Sequence, residues 1–229
     1  MKKCISQEGL KFAACLTMLI DHIGAIFVPG YLLRCIGRVS FPIYCFLLAE
    51  GAVHTRDCKK YGLRLLLATI LSEFPYDLAF YGTWTMNKQS VMPTLLCGFL
   101  AVWVLRTDWH FLLKIMCAAV LGIVAEKCRA DYGMEGVVLI LLFYITRNMP
   151  CRWLVQAAVM LFLFAQMSSP TLYWLGPVRI RLQMLGVLAM IPIALYSGQK
   201  RTRSKAVQWG FYLFYPAHLA ALHLIEVVG

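Results

Sequence analysis

The chain has 229 residues, of which 61% are hydrophobic and only 14% charged, with 22 Lys and Arg against 11 Asp and Glu. That balance lies far outside the range of soluble globular domains. The excess positive charge clusters between apolar stretches, a placement that argues against a nucleic-acid partner and for a lipid bilayer. The fold class is an all-α, polytopic membrane helical bundle.

In chain order, apolar windows fall at about 9–29, 36–54, 62–82, 91–106, 110–126, 134–147, 152–168, 181–197 and 207–227. They predict about nine spans, with eight to ten as the range. Several windows are shorter than the roughly 20 residues of a perpendicular span, so some predict tilted, broken or re-entrant segments. With the N-terminus in the cytoplasm, 15 basic residues collect on that side and seven on the other, the latter including Arg34, Arg38, Lys88, Arg129 and Arg179. This asymmetry obeys the positive-inside rule and places the C-terminus outside. No repeat, low-complexity tract or long loop divides residues 1–229, which read as a single integral membrane domain. The first apolar segment is too long for a cleavable signal and carries Asp21-His22 where a small-residue site would stand. Nine cysteines show no C-x-x-C pair and no zinc-like spacing, so no metal is predicted.

The first window holds Lys11 near its start and Asp21-His22 near its far end. Ionisable residues within a membrane-length segment are costly and point to function. Eleven positions make about three helical turns, so Lys11 and His22 share a face roughly 16 Å apart. Asp21 cannot orient His22 from the same helix, because sequence neighbours point about 100° apart. Pairing of Asp21 with Arg38 or Arg34 is the physical alternative, and His22 then serves as a general base.

The second window offers Glu50 and His54 at i, i+4, followed by the basic run Arg56, Lys59, Lys60 and Arg64. That run suits phosphate groups and serves equally as a topology determinant. The third window carries Glu73 and Asp77 at i, i+4, with Pro75 predicted to kink the helix between them. Structural pairing with arginines such as Arg38, Arg129 or Arg179 is the plain reading of those two carboxylates. Near the C-terminus, Trp209, Tyr212 and Tyr215 suit an aromatic belt and His223 an interfacial position.

The stretches Leu10-Lys11 through Gly24, Ile36 through Tyr44, Glu50 through Arg56, Ser72 through Leu78, Ala130-Asp131-Tyr132-Gly133 and Phe211 through Leu219 resemble the TraX family. That family is named for a conjugation protein linked to N-terminal acetylation of pilin. It is in turn similar to the wider group of transmembrane acyltransferases that includes acyltransferase type 3, whose first span carries Arg, ten residues, then His. Here Lys11 and His22 keep that spacing, with Lys in place of Arg. The resemblance implies a bacterial inner-membrane enzyme with acetyl-CoA or another acyl-CoA as donor and no metal. The acceptor would be a small molecule, glycan or peptide N-terminus, acylated on oxygen or nitrogen from the outer side. On this basis Lys11, Arg56, Lys60 and Arg64 are expected to bind the donor, His22, Asp21 and Arg38 to be catalytic, and Glu73, Asp77 and Asp131 to bind the acceptor. Two other readings stand beside it, a proton-coupled transporter and a non-catalytic pilus or envelope assembly factor.

Overall fold

The computed structural model describes residues 3–175, 178–199 and 204–228, which gather into two compact units. The first comprises Met1–Leu47 and Thr146–Phe211, the second Leu48–Ile145 and Tyr212–Gly229. Among the described residues three helical stretches, Gln7–Ile26, Leu32–His54 and Ala206–Val228, are long and apolar enough to cross a membrane, and shorter apolar helices accompany them. The all-α membrane reading of the composition therefore holds.

In the first unit, helix α1 (Gln7–Ile26) starts at Ser6, whose hydroxyl accepts the Gly9 N–H at 3.2 Å. This is a side-chain N-cap, and Glu8 in the first turn complements the positive helix end. Leu10, Ala14, Cys15, Met18, Asp21 and Gly24 are buried at three- and four-residue steps, one face of the helix. Phe12 and Leu16 on the other side are exposed, as a lipid-facing surface requires. Helix α2 (Leu32–Gly37) packs against α1. Gly24 and Gly37 make the approach possible, since a Cβ on Gly24 would lie 2.6 Å from Leu33 Cβ and one on Gly37 would overlap the Asp21 side chain. Small residues at such a crossing let backbones approach within membranes.

The window read as 36–54 is longer and interrupted. After α2 the chain turns at Arg38 and Val39 before α3 (Ser40–His54) begins, with Pro42 inside its first turn, where a missing N–H costs nothing. Ser40 donates to the Ala14 carbonyl at 2.9 Å, tying this junction to α1.

The second unit takes α4 (Cys58–Tyr81), α5 (Val91–Leu105), α6 (Phe111–Lys127) and all but the last residue of α7 (Gly133–Thr146). Helix α4 begins at its N-cap Asp57, runs unbroken through Pro75 and ends at Gly82, whose φ of +68° is the left-handed stop favoured by glycine. Helix α5 packs on both α4 and α6. Its core is built from Cys97, Ala101, Ala118, Ala125 and Val137, small or branched residues that allow close helices. Arg106, just past α5, donates to the Ala52 and Thr55 carbonyls and so caps the C-terminal end of α3.

Back in the first unit, α8 (Arg152–Gln166) leads to an antiparallel hairpin, β1 (Thr171–Leu175) and β2 (Val178–Arg181). A 3₁₀ segment, Leu182–Ala189, then passes into α9 (Met190–Ala194). The window 181–197 is thus not a regular span. Cys4 and Ile5 donate to the Leu195 carbonyl and Ser197 N–H returns to the Ile5 carbonyl at 2.8 Å, so the chain start lies beside the end of α9. The last helix, α10 (Lys205–Val228), contributes Phe211 and earlier residues to the first unit and the remainder to the second.

Candidate functional site

The first unit concentrates its charge chemistry at the α1–α2 crossing. Asp21, 8% exposed, accepts a hydrogen-bonded ion pair from Arg38 Nη2 through Oδ2. Arg34 Nε stands 3.9 Å from Asp21 Oδ1, too far for a hydrogen bond but close enough for attraction. Three nitrogens of Arg38 are directed at once. Nε donates to the Arg34 carbonyl at 3.3 Å, Nη1 to Gln183 Oε1 at 3.0 Å and Nη2 to Asp21. Of the two arginines offered for Asp21 by the sequence, Arg38 makes the hydrogen bond and Arg34 the longer contact.

His22 follows on α1, half-buried, and Lys11 sits three turns earlier on the same unbroken helix. The Lys11 ammonium lies 5.2 Å from the centre of the Phe211 ring, a cation–π contact. A buried carboxylate held by two guanidinium groups thus stands next in sequence to an imidazole on an apolar helix. Such a group can take a proton at the imidazole and stabilise negative charge at the arginines.

In the second unit the basic run spreads over one helix start. Arg56 and Lys60 are exposed, while Arg64 is half-buried with its guanidinium 5.5 Å and 5.9 Å from the centres of the Tyr61 and Tyr212 rings. Tyr61 is itself pinned, its ring tilted on Phe99 at 4.6 Å and its hydroxyl 2.8 Å from where a Cβ on Gly51 would stand. Asp57 accepts the Lys60 N–H at 2.9 Å and pairs with its ammonium at 3.2 Å. The backbone hydrogen bond first, then the Lys60 side chain, holds the Asp57 carboxyl below its usual value.

The TraX protein family matches residues 6–226, nearly the whole chain. This chain belongs to the TraX family. A relative, the probable fimbrial assembly protein FimC, serogroup H1, of Dichelobacter nodosus, is 28% identical over 239 residues, covering 95% of this chain and 94% of that one. No solved structure matches.

Several sequence expectations are corrected in this TraX chain. Among the described residues Glu73 and Asp77 do not partner arginines. Glu73 accepts the Ser90 hydroxyl at 2.7 Å and the Ser90 N–H at 3.0 Å, and Asp77 accepts the Thr85 N–H at 3.0 Å. Glu73 therefore holds the entry to α5, where Ser90 is the N-cap and exposed amides favour negative charge, and Asp77 holds the loop before it. Arg38 is engaged with Asp21 and Gln183, Arg179 stacks on Trp174 at 4.6 Å and Arg129 lies 3.5 Å from the Asn87 carbonyl. Asp131 meets Lys88 at 2.8 Å, and its carbonyl accepts from Thr94. Trp209 is exposed, as a belt residue is, but Tyr215 is 6% exposed and hydrogen-bonded to Ser90 and the Val91 amide, which makes it a core residue. His54 Nδ1 contacts the Glu50 carbonyl at 2.8 Å, so that i, i+4 pair is joined through the backbone.

The sequence alone does not single out Gln183, Thr85 or Ser90. A Ser ahead of an apolar run with Pro93 in the first turn is a legible helix start. Gln183, a lone amide in an apolar window, carried the weaker signal that any polar residue inside a span carries. Among the described residues no group of three or more His, Cys, Asp or Glu could hold a metal ion.

Proposed function

We propose that the protein is a membrane-embedded acyltransferase that moves an acyl group, with acetyl favoured by the family, from acyl-CoA to a hydroxyl or amine reached from the outer side. The observation that carries the reading is the ion pair of buried Asp21 with Arg38, its carboxylate next in sequence to His22 on an apolar span. A buried charge pair is weak evidence for stability, since apolar replacements do as well or better. Its retention in a bilayer helix argues for chemistry.

In this reading His22 takes the proton as the acceptor oxygen or nitrogen attacks the thioester carbonyl carbon. Collapse of the tetrahedral intermediate breaks the carbon–sulfur bond, and the coenzyme A thiolate receives the proton from His22. Arg38, held by Asp21, positions His22 or stabilises the oxyanion. The donor phosphates are assigned to Arg56, Lys60 and Arg64 around the start of α4, on their charge alone. Of the three acceptor-side carboxylates, Asp131 is assigned direct contact, and Glu73 and Asp77 shape the surrounding backbone. The family and the positive-inside count support an inner-membrane location with a cytoplasmic N-terminus.

Transfer of labelled acetyl from acetyl-CoA by the purified protein tests this directly. Wild type should transfer and His22→Ala should lose about 100-fold or more of the rate, the scale of a general base. Full transfer by His22→Ala would remove the base assignment, and absence of coenzyme A binding to wild type would remove the enzyme. A second reading, a non-catalytic fimbrial assembly factor, draws on the name of the Dichelobacter relative. Under it, neutral replacements at Asp21 and His22 leave fimbriation unchanged.

A further inference from the structure

We infer that Gln183 is a positioning residue for Arg38, and that the 3₁₀ winding of Leu182–Ala189 exists to present it. The inference rests on the acyl-transfer reading for its consequence, and on geometry for its substance. In a 3₁₀ helix three residues make a turn, so side chains at i and i+3 eclipse. Gln183, Gly186 and Ala189 follow that step and all three are buried, with the amide 3% and the alanine 0% exposed. One edge of the segment is thus small except for a single amide. That edge faces the α2–α3 junction, because a Cβ on Gly186 would come within 3.2 Å of the Arg38 carbonyl oxygen and 2.7 Å of the Phe164 ring. The backbone of the segment rests on Arg38 at Gly186, and one turn earlier Gln183 Oε1 accepts from Arg38 Nη1 at 3.0 Å.

The start of the segment is tied down independently. Leu182 N–H donates to the Pro170 carbonyl at 2.9 Å, Gln183 N–H reaches Ser169 Oγ at 3.4 Å, and the Arg181 guanidinium donates to the Met167 carbonyl. The amide is therefore delivered from a fixed backbone. Its chemistry also fits the task. A neutral acceptor orients a guanidinium without cancelling its charge, so Asp21, Arg34 and Arg38 together keep one net positive charge to meet the oxyanion that forms during transfer. A carboxylate at this position would orient Arg38 equally well and remove that charge.

The test compares the full-length wild type with Gln183→Leu, which keeps the volume and loses the acceptor, and Gln183→Asn supplemented by Gln183→Glu, which keep an acceptor. Gln183→Leu should lower kcat for acetyl transfer at least about tenfold with KM for acetyl-CoA changed less than about twofold, the signature of an interaction made in the transition state. Gln183→Glu should restore Arg38 order but not the full kcat. Order is read separately, by mass-spectrometric mapping of Arg38 modification with phenylglyoxal. Modification should rise in Gln183→Leu and stay at the wild-type level in Gln183→Glu. Equal Arg38 reactivity in all variants, or a Gln183→Leu kcat within twofold of wild type, overturns the inference. If wild type transfers no acetyl but Arg38 reactivity follows the expected order, Gln183 still positions Arg38 and the acyltransferase reading is the one that fails.

Discussion

The two units solve the same problem, keeping carboxylates inside apolar helices, by opposite means. Counted along the sequence, the first unit carries 13 Lys and Arg against two Asp and Glu, whereas the second carries nine against nine. The entire net charge of +11 belongs to the first unit. There the one buried acid, Asp21, is held by guanidinium groups. In the second unit, Glu73 and Asp77 are held by the hydroxyl and amide groups of Ser90 and Thr85. Neutral donors satisfy a carboxylate cheaply and serve architecture. Cations around a carboxylate leave a local excess of positive charge, which serves a ligand or a transition state that is negative.

The contrast is sharpest under charge neutralisation. Asp21→Asn takes from Arg38, whose side chain is 12% exposed, the carboxylate it donates to, and the loss should be about 3–5 kcal/mol, measured by reversible unfolding in detergent. Glu73→Gln is expected to cost far less, because the amide oxygen still accepts the Ser90 N–H. Equal losses from the two would erase the distinction between the units. Next in size is Gly37→Ala, whose methyl group enters the Asp21 side chain and should cost about 1–3 kcal/mol through overpacking while depressing acyl transfer. Glu73→Gln follows, within about 1 kcal/mol of wild type, the net worth of one hydrogen bond.

The smallest effect is at Asp57, the exposed cap of α4. Its carboxyl titrates below the ordinary value of about 3.9, so it binds fewer protons in the folded state than in the unfolded one. Its contribution is present at neutral pH and is lost as pH falls through the lowered folded value. The melting temperature of Asp57→Ala should therefore lie slightly below wild type at pH 7 and converge with it in strong acid. A gap that persists in acid would assign the effect to helix propensity instead of the cap.

Much of the fold was legible because apolar run length is itself the physical requirement of a bilayer. The first window and α1 agree closely, and the pairing of Asp21 with Arg38 or Arg34 follows from the cost of a lone charge at depth. The partners of Glu73 and Asp77 differ from the arginines that charge alone predicts. Charge invites charge in a sequence, but Ser90 and Thr85 supply donors that carry no charge and so no flag. Gln183 was hidden by distance, since it meets Arg38 across 145 positions and no local pattern registers such a contact. The hairpin and the 3₁₀ winding depend on tertiary anchors at Pro170, Ser169 and Met167, which hydropathy does not see.

The 3₁₀ segment has one more consequence, for reach. Eight residues rising about 2.0 Å each extend about 16 Å, where the same residues as an α-helix would cover about 12 Å. Continued by the five residues of α9, Leu182–Ala194 gains about 4 Å, roughly three-quarters of an α-helical turn, without an added side chain. A stretch too short to traverse the hydrocarbon layer by composition is lengthened by winding more tightly, and the same change that thins its cross-section brings it up against its neighbours.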